Sequence, residues 1–134
     1  MSTARSRVEA DLLVLIAAGG ALGAVLRHAV DTWVPTESGG FPWGTFAINV
    51  VGAFGLGLLH AYVPAHPRVP RRVRAVLGAG LLGGFTTFSA YAVQTRTLLA
   101  GGHDGLALGY LLGTLAAAVV AVEAGRLVVP GRRR

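Results

Sequence analysis

Asn49 is the residue whose chemistry most needs an explanation. It sits within Gly44-Thr45-Phe46-Ala47-Ile48-Asn49-Val50-Val51-Gly52, a carboxamide with apolar neighbours on both sides. An amide in hydrocarbon costs free energy unless it is paired, so it should face the interior of a bundle. Its nitrogen carries two donor hydrogens, which suit an anion. The competing role is an interhelical hydrogen bond worth about 1 kcal/mol or less. A second group is Gly83-Gly84-Phe85-Thr86-Thr87-Phe88-Ser89, inside a stretch without charge from Ala75 to Thr95. Two glycines, two threonines and a serine disfavour an unbroken helix. Loosened backbone at membrane depth is tolerated where it is buried in protein or lines a wet cavity. In channels and transporters such breaks hold ions or substrates. A Ser/Thr helix-contact surface would use the same residues.

Phe85, Phe88 and Tyr91 follow at three-residue intervals, near one face of a helix. Aromatic ring edges are electropositive, so rings aimed edge-on at a path can solvate a small anion, although aromatic packing is the commoner use. Tyr110 and Thr114 are four apart and offer a hydroxyl track, or two separately satisfied hydroxyls. Arg27 ends an apolar run, where it either snorkels to the interface or attracts anions to a vestibule. Glu123 and Arg126 have the spacing of a helical ion pair. The four histidines lie near helix ends or in loops without metal-ligand spacing, and no nucleophile–base pair or phosphate-cradling loop is evident. An enzyme is therefore not expected.

These groups need a membrane scaffold to position them. Of 134 residues, 53% are hydrophobic and only 13% are charged, against roughly 25% charged in a soluble domain. Mean hydropathy is +0.60. Four apolar spans, about Leu12–Val34, Phe41–Val63, Val73–Leu99 and Gly105–Leu127, are each near the ~20 residues that cross a bilayer. Pro35, Pro64, Pro67 and Pro70 punctuate the short connections. No period-two alternation suggests a barrel. The expectation is an all-α membrane protein, a single four-helix domain over residues 1–134. Its first span is read as a membrane helix and not a signal peptide, because the apolar run continues past Gly23. Trp33 and Trp43 flank the first loop like an interfacial aromatic belt. Small residues four apart, Gly19/Gly23, Ala53/Gly57, Gly80/Gly84 and Gly109/Gly113, predict close helix packing.

The formal charge of +6 comes from arginines gathered in connections, and no nucleic-acid motif accompanies them. Arg5, Arg7, Arg68, Arg71, Arg72, Arg74, Arg126, Arg132, Arg133 and Arg134 lie on one side, against Arg27 and Arg96 on the other. The positive-inside rule then predicts cytoplasmic termini and a cytoplasmic second loop in a multi-pass protein of the cell membrane. There is no cysteine, so disulfide and thiolate chemistry are absent.

Taken together, Gly19 to Arg27, Gly44 to Gly52 and Gly83 to Ser89 resemble, in order and spacing, the Fluc (CrcB) family of fluoride channels. The resemblance spans essentially the whole chain. It implies an antiparallel, dual-topology-type dimer whose third helices break at mid-membrane. There, main-chain carbonyls of both subunits would hold a structural sodium ion, here those of Gly83 and Thr86. It implies two pores along the dimer interface, passing fluoride passively out of the cytoplasm. Asn49 would donate its amide, Phe88 its ring edge, and Thr87 and Ser89 their hydroxyls. Tyr110 and Thr114 match the family's hydroxyl track, and Arg27 its vestibule arginine. Tyr91 stands where a second pore phenylalanine is expected, and Ala118 lacks the hydroxyl expected farther along the track.

The rival class is a small multidrug-type, proton-coupled cation exporter. It requires a membrane-embedded carboxylate, typically in the first helix, and Leu12 to Leu26 contains none. Because the arginine count is ten to two, the expected partner is a related subunit of opposite orientation, with a homodimer as the alternative.

Overall fold

The computed structural model describes residues 2–129, with backbone alone for residues 2–8 and Ala65. The side chains of Arg5 and Arg7, and all of Arg132, Arg133 and Arg134, lie outside the described residues. The described chain is all-helical: α1 (Ser2–Trp33), α2 (Trp43–Ala65), α3 (Arg71–Ala75), a π-helical segment (Val76–Leu82), α4 (Gly83–Phe85), α5 (Phe88–Ala100) and α6 (Asp104–Val128). Four stretches are long and apolar enough to cross a bilayer: Glu9–Trp33, Trp43–Pro64, Arg71–Ala100 and Asp104–Val128. The protein is a membrane protein of four spans.

Two boundaries differ from expectation. α1 begins at Ser2 and not near Leu12, because its first turns, though polar, are rich in residues that favour helix and need no lipid contact. Pro64 does not stop α2 but lies inside its last turn. A proline disrupts the turn before it, yet the helix has only Ala65 left to form. The His66 N–H then closes the end by donating to Tyr62 O and Val63 O, at 3.0 and 3.2 Å.

α1 lies against the π segment and α4, while α2 pairs chiefly with α6. Small residues set both approaches. A Cβ on Gly80 would stand 2.7 Å from Ile16 O, and one on Gly19 would stand 2.9 Å from Val76 O. A Cβ on Gly84 would collide with the Gly20 backbone, and one on Gly23 with Leu81 O. The two expected pairs, Gly19/Gly23 and Gly80/Gly84, are thus the two sides of one contact. Gly57 and Gly125 play the same part between α2 and α6, meeting the carbonyls of Val122 and Phe54. Gly109 and Gly113, by contrast, have no atom of another element within 4 Å of a would-be Cβ among the described residues.

The core lies where α2, α5 and α6 meet, around Leu98, Ala107 and a fully buried Tyr110, with Phe41, Phe46, Tyr91 and Leu106 packed on it. Phe41 meets Tyr110 edge-on at 5.3 Å between ring centroids. Trp33 and Trp43 remain exposed on either side of the first loop, as an interfacial pair should. Between α5 and α6 the chain reverses within three residues; Gly102, at φ 75°, supplies the left-handed conformation this needs.

Candidate functional site

The site is organised by the interruption of the third span. Thr86 (φ −74°, ψ 157°) and Thr87 (φ −146°, ψ 123°) are extended between α4 and α5. The Thr86 N–H and hydroxyl both donate to Leu82 O, at 2.9 and 3.0 Å, which ends the first half. Thr87 starts the second half: its Oγ1 accepts from the Ala90 N–H at 3.2 Å, as a helix N-cap does. The same oxygen lies 3.2 Å from Ser89 Oγ.

Asn49 holds the gap open. Its Oδ1 accepts the Thr87 N–H at 2.9 Å, and its Nδ2 donates to Thr87 O at 3.0 Å. One side chain of α2 therefore satisfies both main-chain groups of a residue in the break. In a continuous α-helix the Thr87 N–H would go to Gly83 O; Asn49 diverts it. Gly52, one turn after Asn49, makes room for the break, because a Cβ there would run into Thr86 Cγ2.

Beside this clamp lies a groove of about 270 Å³. Asn49, Thr86, Thr87, Phe88 and Tyr91 form one wall and Thr114, Leu115 and Ala118 of α6 the other. Six of the candidate residues, Asn49, Thr86, Thr87, Phe88, Tyr91 and Thr114, thus converge from three spans. Phe88 is 79% exposed, with its ring centroid 5.9 Å from that of Tyr91. Thr114 Oγ1 is buried and has no hydrogen-bond partner among the described residues. An amide with a second hydrogen and two aromatic rings bordering one groove can together solvate a small anion, with the buried Thr114 hydroxyl in the wall behind.

The remaining candidates, Tyr110, Ser89, Arg27 and Gly83, fall outside this lining. Tyr110 is fully buried behind the groove, where its hydroxyl donates to Gln94 Oε1 at 2.8 Å and its ring lies 5.3 Å from that of Tyr91. Ser89 is exposed and touches the site through Thr87. Arg27 is half-buried on α1, away from the groove lining. Gly83 is exposed at the start of α4, and Thr86 is the only expected carbonyl donor that also lines the groove. Phe85 does not share a face with Phe88 and Tyr91, because helical spacing lapses at the two extended threonines. It closes α4 beside Gly23 and Gly52 instead.

The Tyr91 hydroxyl donates to Leu111 O at 2.5 Å. It ties α5 to α6 and leaves only the ring toward the groove. Sequence reasoning passed over Gln94, although a lone amide one turn beyond Tyr91 in an apolar span marks an internal hydrogen bond. Thr45, buried beside Tyr110 without a partner of hydrogen-bond geometry, was likewise unassigned. The Glu123–Arg126 pair forms as its spacing predicts, at 2.7 Å on the exposed face of α6.

Residues 14–126 match the family model described as CrcB-like protein, Camphor Resistance. The chain is 48% identical to a protein of Nocardia farcinica named fluoride-specific ion channel FluC 2, over 88% of this chain and 84% of that one. It is 45% identical to fluoride-specific ion channel FluC 1 of Streptomyces coelicolor, over 87% of this chain and 75% of the relative. A third relative, fluoride-specific ion channel FluC of Agrobacterium fabrum, is 41% identical over 84% of this chain and 91% of its own. The relatives are named as channels and not as enzymes. With a family match from Val14 to Arg126 and full-span relatives at this level of identity, the chain belongs to the CrcB family.

Proposed function

We propose that this chain is a subunit of a passive, fluoride-selective channel that releases cytoplasmic fluoride down its electrochemical gradient. The observation that carries the reading is the convergence of Asn49, Phe88, Tyr91 and Thr114 on one groove beside a broken helix. Fluoride is small and tightly hydrated, so a pore must replace its water with several donors at once. One hydrogen of the Asn49 amide is committed to Thr87; the other is available to an ion in the groove. Phe88 and Tyr91 would present ring edges, and Thr114 would turn its hydroxyl toward the ion. Thr87 and Ser89 place a hydroxyl pair at the margin, Tyr110 braces Tyr91 from behind, and Arg27 draws anions toward the entrance.

The groove is open along the side that bears Phe88 and Leu115, both exposed in the protomer. An ion there would face lipid unless a second protein surface closed the path. Pairing with an oppositely oriented subunit supplies that surface. The same pairing brings two helix breaks together at the centre of the membrane. The main-chain oxygens of Gly83 and Thr86 would hold the structural sodium, and the donor set fits. The Thr87 N–H that an α-helix gives to Gly83 O is spent on Asn49, and a hard cation prefers oxygen ligands. Bound there, the ion supplies fixed positive charge at mid-membrane.

Hydrogen fluoride is a weak acid whose neutral form crosses lipid and dissociates in the less acidic cytoplasm. A selective anion path then suffices for export without a coupled energy source. The test is rescue of a fluoride-sensitive bacterium lacking its own fluoride exporter, by this gene alone and with a related subunit. Restored growth in fluoride that is lost with Asn49→Asp supports the reading. Equal growth with Asn49→Asp and wild type contradicts it.

A further inference from the structure

A second groove lies at the cytoplasmic end expected from the arginine distribution, between the last turns of α2 and the start of the third span. It measures about 340 Å³ and is lined by His60, Arg71 and Arg74 at one end and by Leu56, Leu59 and Gly78 at the other. His60 is pinned by its Nδ1–H, which donates to Leu56 O at 2.9 Å. Arg71 and Arg74 form no ion pair among the described residues, and no acidic residue occurs in the sequence between Glu37 and Asp104. Two guanidinium groups thus border one cavity with no internal counter-charge. His60 stands five residues before the end of α2, about 7 Å along the helix axis, and Arg71 opens the third span. That depth is the headgroup level of a bilayer.

Leu59, which packs against Gly78, marks the apolar end. Leu59 also lines a larger groove of about 500 Å³, walled by Leu58 and Tyr62 of α2 and Leu77, Leu81 and Leu82 of the third span. A cationic groove at headgroup depth, floored by Leu56 and Leu59 and bordered at Leu59 by a separate apolar trough, has the charge order of a phospholipid. We infer that this chain carries a binding site for one anionic phospholipid, with its phosphate between Arg71 and Arg74 and an acyl chain along Leu59. Fluoride suits the groove poorly, since a leucine floor offers no donors to replace its water. A positive-inside signal needs only arginines near the membrane; it does not need two of them to line one cavity over a leucine floor.

The test uses purified full-length protein in neutral detergent micelles, where insertion orientation no longer matters. Phosphatidylglycerol, phosphatidylcholine and inorganic phosphate are titrated separately, with retained lipid read by native mass spectrometry and melting temperature read in parallel. Phosphatidylglycerol should be retained and raise the melting temperature, with phosphatidylcholine bound about tenfold more weakly or less and inorganic phosphate without effect. Arg71→Gln/Arg74→Gln should weaken phosphatidylglycerol binding about tenfold, whereas Arg68→Gln/Arg72→Gln, the same charge change outside the groove, should weaken it by less than about threefold. Leu59→Trp should weaken it with every charge retained. Equal binding of the two lipids, an equal shift from inorganic phosphate, or equal loss in the two double variants would overturn the site. So would loss of the dimer, with lipid retention unchanged, in Leu59→Trp, which would make the trough a protein–protein contact.

Discussion

Asn49 has a structural and a proposed functional part in the same amide. Both hydrogen bonds to Thr87 lie in the part-buried break, so Asn49→Asp removes a donor, leaves Thr87 O unpaired and places a carboxylate against a carbonyl. It should lower stability by about 1–3 kcal/mol and reduce fluoride flux at least about tenfold. Thr114 separates the two parts. Its hydroxyl has no partner among the described residues, so Thr114→Val should slow flux while leaving the melting temperature unchanged or raised, and Thr114→Ser should stay near wild type. A melting temperature that falls with flux in Thr114→Val would assign the hydroxyl to packing. Tyr91 should behave in the opposite way. Its hydroxyl is spent on Leu111 O, so Tyr91→Phe should keep fluoride selectivity and lose about 1 kcal/mol of stability. Selectivity lost at unchanged stability would make that hydroxyl a pore donor.

At the scale of elements, the third span is the part that cannot be an ordinary helix. Gly83→Pro removes an N–H that donates to Gly78 O and Gly80 O, and Thr86→Pro removes the N–H that donates to Leu82 O. Both should abolish any sodium dependence of the assembled channel, read as flux and dimer stability in sodium against a large organic cation. Thr86→Ser keeps the main-chain oxygen and should be mild. The reverse order would exclude main-chain coordination. Gly84→Ala should destabilise by about 2 kcal/mol or more through overpacking, because its Cβ would meet the Gly20 backbone. Gly113→Ala has open space among the described residues and should affect assembly alone.

Much of this was legible in the residues. Four spans followed from the length of apolar runs that lipid demands, and the break followed from two glycines beside two threonines. Gly19/Gly23 and Gly80/Gly84 were readable as contact surfaces. That they contact each other was not, because spacing along one helix does not name the helix it meets. The Asn49–Thr87 clamp joins residues 38 apart, and depends on the register of α2 against the third span. The three-residue pattern of Phe85, Phe88 and Tyr91 misled for a related reason: helical periodicity holds only while the helix lasts, and the two extended threonines reset it.

For the whole molecule, the open groove and the arginine distribution bear on assembly together. In the proposed channel the groove exposed beside Phe88 would be closed by a second subunit, while the expected distribution of ten arginines against two would favour a single orientation for every copy. We propose a heterodimer with a related, oppositely inserted chain, which would satisfy both. Reporters fused to the C-terminus should then signal only from the cytoplasm, and fluoride resistance should be weak without the partner gene. An even split of reporter signal, with full resistance from this gene alone, would establish a homodimer. The measurement that bears most directly on the channel itself is anion efflux from liposomes containing the purified protein with its partner subunit. Fluoride should leave rapidly and passively while chloride is retained, and the two anions leaving at comparable rates would contradict the account.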